Sequence, residues 1–134
     1  MRIMIPGQTR AKKNSMRVIK LGKRSSIMAS AIYVKWEKAA LAWLEQQRYP
    51  AWTGGYPLEV CFFLFRENRR KWDIDNVFCG CLDVMQKAGI LIDDSANHVI
   101  PIFSGWAIDK QNPRVDLLLR PVTKIYYRED LNVF

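Results

Sequence analysis

The chain changes from a strand pattern to a helix pattern at Lys71-Trp72-Asp73-Ile74-Asp75-Asn76. Before this stretch, residues 58–66 carry apolar side chains on both faces of a strand, which predicts a central strand covered on both sides. After it, apolar side chains recur at helical spacing over residues 76–88, and the glycine that follows can end a helix. Asp75 or Asn76 can cap the start of this helix. The stretch therefore joins a buried strand to an amphipathic helix.

The rest of the chain completes an α+β pattern. Further strands are predicted at residues 2–5, 16–21, 98–104 and 114–120, and a long helix at residues 30–48. We expect a mixed sheet of four or five strands with two main helices, in a single domain that spans residues 1–134. The composition, 49% apolar and 25% charged, is that of an ordinary globular protein.

Composition also narrows the class of protein. No apolar run reaches the roughly 18 residues of a membrane-spanning helix, and polar residues interrupt the N-terminal stretch too early for a signal peptide. Three cysteines, an odd number, fit a compartment in which thiols stay reduced. Cys79-Gly80-Cys81 is too tight for a zinc knuckle, so buried thiols are favoured over metal ligands. We therefore expect a cytoplasmic protein with no membrane partner.

The net charge of +8 is concentrated in one part of the sequence. Residues 1–36 hold nine basic groups and no acid, whereas the rest of the chain is close to neutral. Such asymmetry suggests a polyanionic partner, with nucleic acid favoured over an anionic membrane surface. The alternative is that the basic loop at about residues 8–26 is solvated and only aids solubility.

The sequence also excludes several kinds of catalytic site. His98 is the only histidine, which argues against two-histidine zinc sites and against histidine-dependent nuclease folds. No phosphate-binding Gly-x-x-x-x-Gly-Lys-Ser/Thr loop is present. No serine or cysteine lies in a recognisable nucleophile motif. The aspartates remain the strongest candidates for chemistry.

Four aspartates form the candidate metal site. In an extended segment Asp73 and Asp75 point to the same side, and paired carboxylates suit a hard cation such as Mg²⁺. A helix over residues 76–88 is about 20 Å long, and an extended segment after it could return about 20 Å, bringing Asp93 and Asp94 near the first pair. This length argument leaves open that a partner subunit supplies the last carboxylate.

Each of these groups also has a purely structural interpretation. Asp75 could be only a helix cap, and Asp93-Asp94 only an acidic turn before a strand. The basic run of Arg66, Arg69, Arg70 and Lys71 could hold phosphates beside the metal or could be a charged strand end.

The pattern Arg-Arg-Lys-x-Asp-x-Asp-Asn at residues 69–76, then Leu82-Asp83, Lys87-Ala88-Gly89 and Ile92-Asp93-Asp94, resembles the RusA family of Holliday junction resolvases. The resemblance implies that Asp73, Asp75 and Asp94 are catalytic, with Asp93 as an adjacent metal-binding acid. It also implies a homodimer, often encoded by prophages, that uses Mg²⁺ and cuts four-way junction DNA symmetrically.

The chain departs from the family pattern at two positions. A lysine usually follows the second aspartate by four residues, and Cys79 occupies that position here. Lys71 or Lys87 could replace this ammonium. Trp72 also stands where a basic residue is often found.

Three hypotheses follow from the sequence. The first is a crossover junction endodeoxyribonuclease of DNA recombination and repair, dependent on Mg²⁺ with Mn²⁺ as the alternative ion. The second is a junction-binding protein of the same fold with weak or lost cleavage, and the third is a basic scaffold protein whose acids form only salt bridges. The residues expected to contact DNA are all basic: Arg10, Lys12, Lys13, Arg17, Lys20, Lys23, Arg24, Arg69, Arg70 and Lys71.

Overall fold

The computed structural model describes residues 1–10, 16–22, 24–29 and 31–122. Within these ranges the chain has the α+β architecture that the sequence predicts. The elements in chain order are β1 (Arg2–Pro6), β2 (Met16–Leu21), β3 (Arg24–Ala29), α1 (Ala31–Gln47), β4 (Leu58–Arg66), α2 (Ile74–Lys87), β5 (Val99–Ile108) and β6 (Arg114–Pro121).

The main sheet is mixed and has four strands in the order β1-β6-β4-β5. β6 is antiparallel to both β1 and β4, whereas β5 is parallel to β4. A parallel pair needs a crossover connection, and α2 lies within the one that joins β4 to β5. β2 and β3 form a separate two-stranded antiparallel sheet, in which Gly22 adopts a positive φ of 63° at the turn. The sequence predicted β2 but not β3.

The core lies between the two helices and one face of the sheet. Alternate residues of β4 point into it, and Leu58, Val60, Phe62 and Leu64 are all fully buried. Facing them are Tyr33 and Trp36 of α1, with Val77, Phe78 and Met85 of α2, among others. This alternation is the strand pattern that the sequence shows.

The opposite face of β4 is more open than predicted. β4 is central, as expected, but Phe63 and Phe65 on this face are only half-buried. Phe63 lines a surface cavity of about 500 Å³, and the Arg114 guanidinium packs 3.7 Å from the Phe65 ring centre. Cys61 on this face is buried, as the prediction of cover on both sides requires, but the prediction fails at Phe63 and Phe65, because α1 and α2 both pack on the other face.

The two ends of α2 lie at opposite ends of β4. Residues 67–73 join the end of β4 to the start of α2, and the helix then runs back along the strand. The connection after α2 therefore lies near the start of β4, where the Leu58 amide donates to the His98 carbonyl at 2.8 Å. Fourteen residues of helix span about 20 Å. The fold thus keeps residues 73–75 and 93–94 apart within one chain.

Candidate active site

Asp73 and Asp75 both lie at the N-terminus of α2. Asp73 is the N-cap residue in an extended conformation, with φ −103° and ψ 126°, and its carbonyl accepts from the Val77 amide at 3.2 Å. Its carboxylate accepts from the Asn76 side-chain amide at 3.3 Å. Asp75 is exposed in the first helical turn. The positive end of the helix dipole favours both carboxylates here.

The helix begins earlier than the sequence suggested. It starts at Ile74, so the cap is Asp73 and the prediction of Asp75 or Asn76 as the cap is wrong. The two carboxylates therefore share a helix terminus, and the extended geometry assumed for residues 73–75 is absent. The Asp73 side chain makes no cap hydrogen bond to the helix backbone.

Asp93 and Asp94 lie beyond the other end of α2. The Ile90 and Leu91 amides both donate back to the Met85 carbonyl, at 3.0 and 3.4 Å, and the side chains of Ile90 and Leu91 are buried. The Ile92 amide donates to the Tyr56 hydroxyl at 3.3 Å. The segment is therefore anchored at the C-terminus of the helix and does not return along it.

The expected cluster of four carboxylates is thus absent within one chain. In the described ranges, which include all four aspartates, no group of three or more acidic, histidine or cysteine residues is placed to hold a metal ion. The length argument was wrong because the turn after α2 is fixed by buried apolar side chains. The catalytic and metal-binding roles of the four aspartates remain predictions.

The acidic turn is ordered by its own hydrogen bonds. The Asp93 carboxylate accepts from the Asp94 amide at 2.9 Å and lies 3.5 Å from Nδ1 of His98. Hydrogen bonds from Ser95 and from the Asp94 amide, with a smaller contribution from His98, lower the pKa of Asp93. The carboxylate therefore stays charged in mildly acidic solution. His98 itself belongs to this turn, where it contacts Ser95 at 2.9 Å.

A basic edge adjoins Asp73 and Asp75. Arg69, Arg70 and Lys71 are exposed, and Trp72 alone separates them from Asp73. Arg10 approaches Glu67 at 4.0 Å, so it lies at the same end of β4. These four cations can meet a phosphate chain that approaches the two carboxylates.

Arg66 differs from the other cations because it is buried. Its guanidinium donates to the carbonyl and hydroxyl of Thr9, both at 3.1 Å, and lies 5.1 Å from the Trp72 ring centre. Burial, together with repulsion from Arg10, lowers the pKa of Arg66, although a guanidinium remains charged in proteins. Arg66 therefore braces the site and does not face a ligand.

The sequence interpretation missed the residues that hold this connection in place. The Gln8 side chain accepts from the Glu67 amide at 2.7 Å and donates to the Glu67 carboxylate at 3.1 Å. Gln8 and Thr9 are both buried. In the sequence, the role of these residues is indicated only by the position of two polar residues directly after the Pro6-Gly7 turn, and such a pattern is weak.

For most of the remaining residues predicted to contact DNA, the structure does not describe the side chain. Lys20 is exposed on β2. Arg17 and Arg24 lie on β2 and β3, but their side chains are outside the described part of the chain, and Lys12, Lys13 and Lys23 are outside it altogether. The chain enters this region close to α2, since a side chain at Gly80 would come within 3.2 Å of the Arg10 carbonyl.

The cysteines divide into two kinds. Cys61 and Cys81 are buried, as expected, and burial raises the pKa of the Cys81 thiol to about 12. Cys79 is exposed, and the expectation that it is buried is wrong. It lies one helical turn after Asp75, where a residue four positions on shares the same face. The position of the family lysine is therefore open to solvent here.

Of the two candidate replacements for that lysine, only Lys71 lies near the site. Lys87 is in the last turn of α2, where its ammonium pairs with Glu37 at 3.0 Å and Asp83 at 3.2 Å. Lys71 is exposed two residues before Asp73.

The described helices include none that is long and apolar enough to cross a membrane.

Comparison with known proteins identifies the family. The family model described as "Endodeoxyribonuclease RusA" matches residues 6–120. A protein of Aquifex aeolicus (strain VF5), "Crossover junction endodeoxyribonuclease RusA", is 33% identical over 86 residues, or 64% of this chain. The match covers 66% of that relative, so the chain spans just under two thirds of its length. Together with the carboxylates and cations at the start of α2, the family match shows that this chain belongs to the RusA endodeoxyribonuclease family.

Proposed function

We propose that this protein is a Mg²⁺-dependent, structure-selective DNA endonuclease that resolves Holliday junctions by paired symmetric cuts in recombination and repair. The observation that carries the proposal is the meeting of Asp73 and Asp75 with exposed Arg69, Arg70 and Lys71 at one edge of the fold. Carboxylates there can hold a cation, and the adjoining cations can hold phosphates. Family membership supports the same activity.

The donor atoms at the start of α2 suit Mg²⁺. This ion is usually bound by one or two carboxylates together with waters and substrate phosphates. Asp73 and Asp75 supply the carboxylates, and buried Asn76 has a side-chain oxygen with no hydrogen-bond partner among the described residues. When bound, Mg²⁺ or Mn²⁺ would activate a water and stabilise the leaving oxygen of the cut phosphodiester. Exposed Lys71 would hold the phosphate in place beside these ligands.

The separation of the aspartates supports a homodimer. Asp94 lies one helix length from Asp75 within the chain, so its carboxylate can join the site only from a second subunit. In a dimer with a two-fold axis, each subunit would contribute its Asp94, with Asp93 beside it, to the site of the other subunit. Two equivalent sites would then be complete. Two equivalent sites match a four-way junction, which is resolved by two symmetric cuts.

The second candidate function is binding of junctions without efficient cleavage. It is favoured by Cys79, because the side chain exposed one turn after Asp75 carries no ammonium. A cytoplasmic location and a prophage origin stay predictions in either case.

One gel assay separates these functions. A labelled four-way junction and a linear duplex are incubated with the protein in Mg²⁺, Mn²⁺ or EDTA. The nuclease cuts the junction in either metal, leaves the duplex intact and is inactive in EDTA. Binding of the junction without a cut in either metal would favour the second candidate. Equal binding of both DNAs without a cut would overturn both and favour the scaffold hypothesis.

The basic N-terminal segment is expected to bind the phosphate backbone. Replacing Lys12, Lys13 and Lys20 with alanine should weaken junction binding and lower the slope of log K against log salt by up to about 2.7 units, at roughly 0.9 per lost contact on duplex DNA. Fluorescence anisotropy at several salt concentrations in EDTA measures this slope.

The matched control for that variant removes the same charge elsewhere. Lys35 and Lys38 on α1 and Lys110 in the β5–β6 loop are exposed and lie outside the segment. Alanine at these three positions should leave the slope close to that of the wild type. If the two triple variants change the slope equally, the segment is not the DNA-binding surface and acts only through net charge.

A further inference from the structure

An aromatic cluster adjoins the first aspartate. The Trp72 ring contacts Phe103 edge-on at 6.2 Å and Trp106 edge-on at 5.9 Å between ring centres. Trp72 is half-buried, whereas Phe103 and Trp106 are 38% and 42% exposed. We call Trp72, Phe103 and Trp106 the aromatic cluster. The cluster adjoins Asp73 through Trp72, which directly precedes it in the chain.

A bulge in β5 builds the cluster. Phe103 pairs with Phe62 and Trp106 with Leu64, and the register shifts between these pairs. Two residues three positions apart therefore face the same side, which regular alternation would forbid. Gly105 in the bulge has φ 135°, and a Cβ there would come within 3.0 Å of the Phe63 ring. The bulge in the backbone therefore places the rings of Phe103 and Trp106 on the same side of β5.

Packing against α2 and against Arg66 supports the aromatic cluster. Phe78 of α2 stacks on Phe62 at 3.9 Å and contacts Phe103 at 6.0 Å between ring centres. Trp72 lies against Arg66, which is itself fixed by Thr9. Rings that are already ordered lose little conformational entropy when a ligand binds.

We propose that the aromatic cluster stacks against a nucleobase unstacked at the branch point of the junction, next to the phosphate that is cut. This inference rests on the proposed function and names the part of the DNA that the nuclease recognises. Aromatic rings accept any base, because every base has a flat apolar face. In linear duplex the bases are stacked inside the helix, so the contact favours the junction over duplex.

The surrounding charge favours DNA over a second protein surface. Arg69, Arg70 and Lys71 are exposed directly before Trp72. They attract a polyanion, whereas a two-fold axis through the cluster would bring the cations of both copies together. In the described part of the chain β5 is at an edge of the sheet, so a base can reach the rings from solvent.

The test replaces one exposed ring and follows the base directly. Trp106→Ala is compared with Trp106→Phe, which keeps a ring, and with Ile32→Ala, which removes an apolar side chain that is 60% exposed on α1. The probe is a four-way junction with 2-aminopurine at the branch point, in EDTA so that no cut occurs. Stacking on the rings of the wild-type protein should quench the fluorescence of the 2-aminopurine base. We expect Trp106→Ala to bind the junction about tenfold more weakly and to abolish this quenching, while its affinity for duplex DNA is unchanged. Trp106→Phe and Ile32→Ala should behave nearly as the wild type.

Each contrary outcome has a defined meaning. A folded Trp106→Ala protein with unchanged 2-aminopurine quenching and unchanged junction preference overturns the proposal and leaves the nuclease function standing. A Trp106→Ala protein of reduced molecular mass in light scattering also overturns it, because the cluster would then be a subunit interface. If Trp106→Ala fails to fold, Phe103→Leu on the same surface takes its place. The proposal then requires Phe103→Leu to lose junction affinity and 2-aminopurine quenching. A wild-type protein without junction preference rejects the proposed function itself.

Discussion

Asp75→Asn is expected to abolish junction cleavage while junction binding stays intact or becomes tighter. The substitution keeps the size of the side chain and removes its charge, so a metal ligand is lost together with some repulsion of phosphate. Metal ions contribute several kcal/mol of transition-state stabilisation, so the cleavage rate should fall about a thousandfold. Asp73→Asn and Asp94→Asn should show the same loss, because each removes a carboxylate of the proposed site.

Single-turnover cleavage in Mg²⁺ and anisotropy binding in EDTA separate the two effects for these variants. Thermal unfolding must accompany both measurements, since Asp75 is an acid in the first turn of α2 and its loss costs about 0.3–1 kcal/mol of helix stability. Glu45→Gln on the exposed surface of α1 is the matched control and should cut normally. A folded Asp75→Asn protein that cuts at the wild-type rate would show that the carboxylate is only a feature of the helix terminus.

Local patterns were sufficient to predict the elements that carry this site. β4 has the predicted bounds because both sets of its alternate side chains are apolar. α2 ends within one residue of the predicted position because Gly89 follows it with a positive φ of 75°. In both cases neighbouring residues determine the outcome, and a single sequence contains that information.

Features that depend on distant contacts could not be predicted. The segment 89–94 could have been extended by length alone, but buried Ile90 and Leu91 anchor it in the core. The bulge that aligns Phe103 with Trp106 arises from pairing with β4, which is more than thirty residues away in the chain. The position of α1 on the same face as α2 likewise left Phe63 half-exposed.

The exposure of Cys79 changes how the missing family lysine is interpreted. In a buried position the cysteine would have indicated a repacked helix and a site that could not accept a cation. Its exposure gives no sign of such repacking, and exposed Lys71 in the preceding loop remains the candidate to replace the family lysine. The departure is therefore compatible with an active nuclease.

Mixing two inactive variants is expected to restore cleavage. If Asp75 of one subunit works with Asp94 of the other, a heterodimer of Asp75→Asn and Asp94→Asn subunits carries both defects in one site and none in the other. Random pairing makes half of the dimers mixed, so about a quarter of the wild-type number of sites is intact. Each mixed dimer has one intact site, so it should nick the junction and rarely make paired cuts.

The experiment needs subunit exchange, for example by unfolding and refolding the two variants together, and it reads nicks on a labelled junction in Mg²⁺. The matched control mixes Asp73→Asn with Asp75→Asn. These aspartates lie on the same helix terminus, so both sites of their heterodimer remain defective and no cleavage should return. Absence of recovery in the first mixture, with exchange verified by differently tagged subunits, would mean that Asp94 acts within its own chain or does not act at all. Recovery confined to the first mixture would require the two carboxylates to meet across a subunit interface, since within one chain α2 holds them about 20 Å apart.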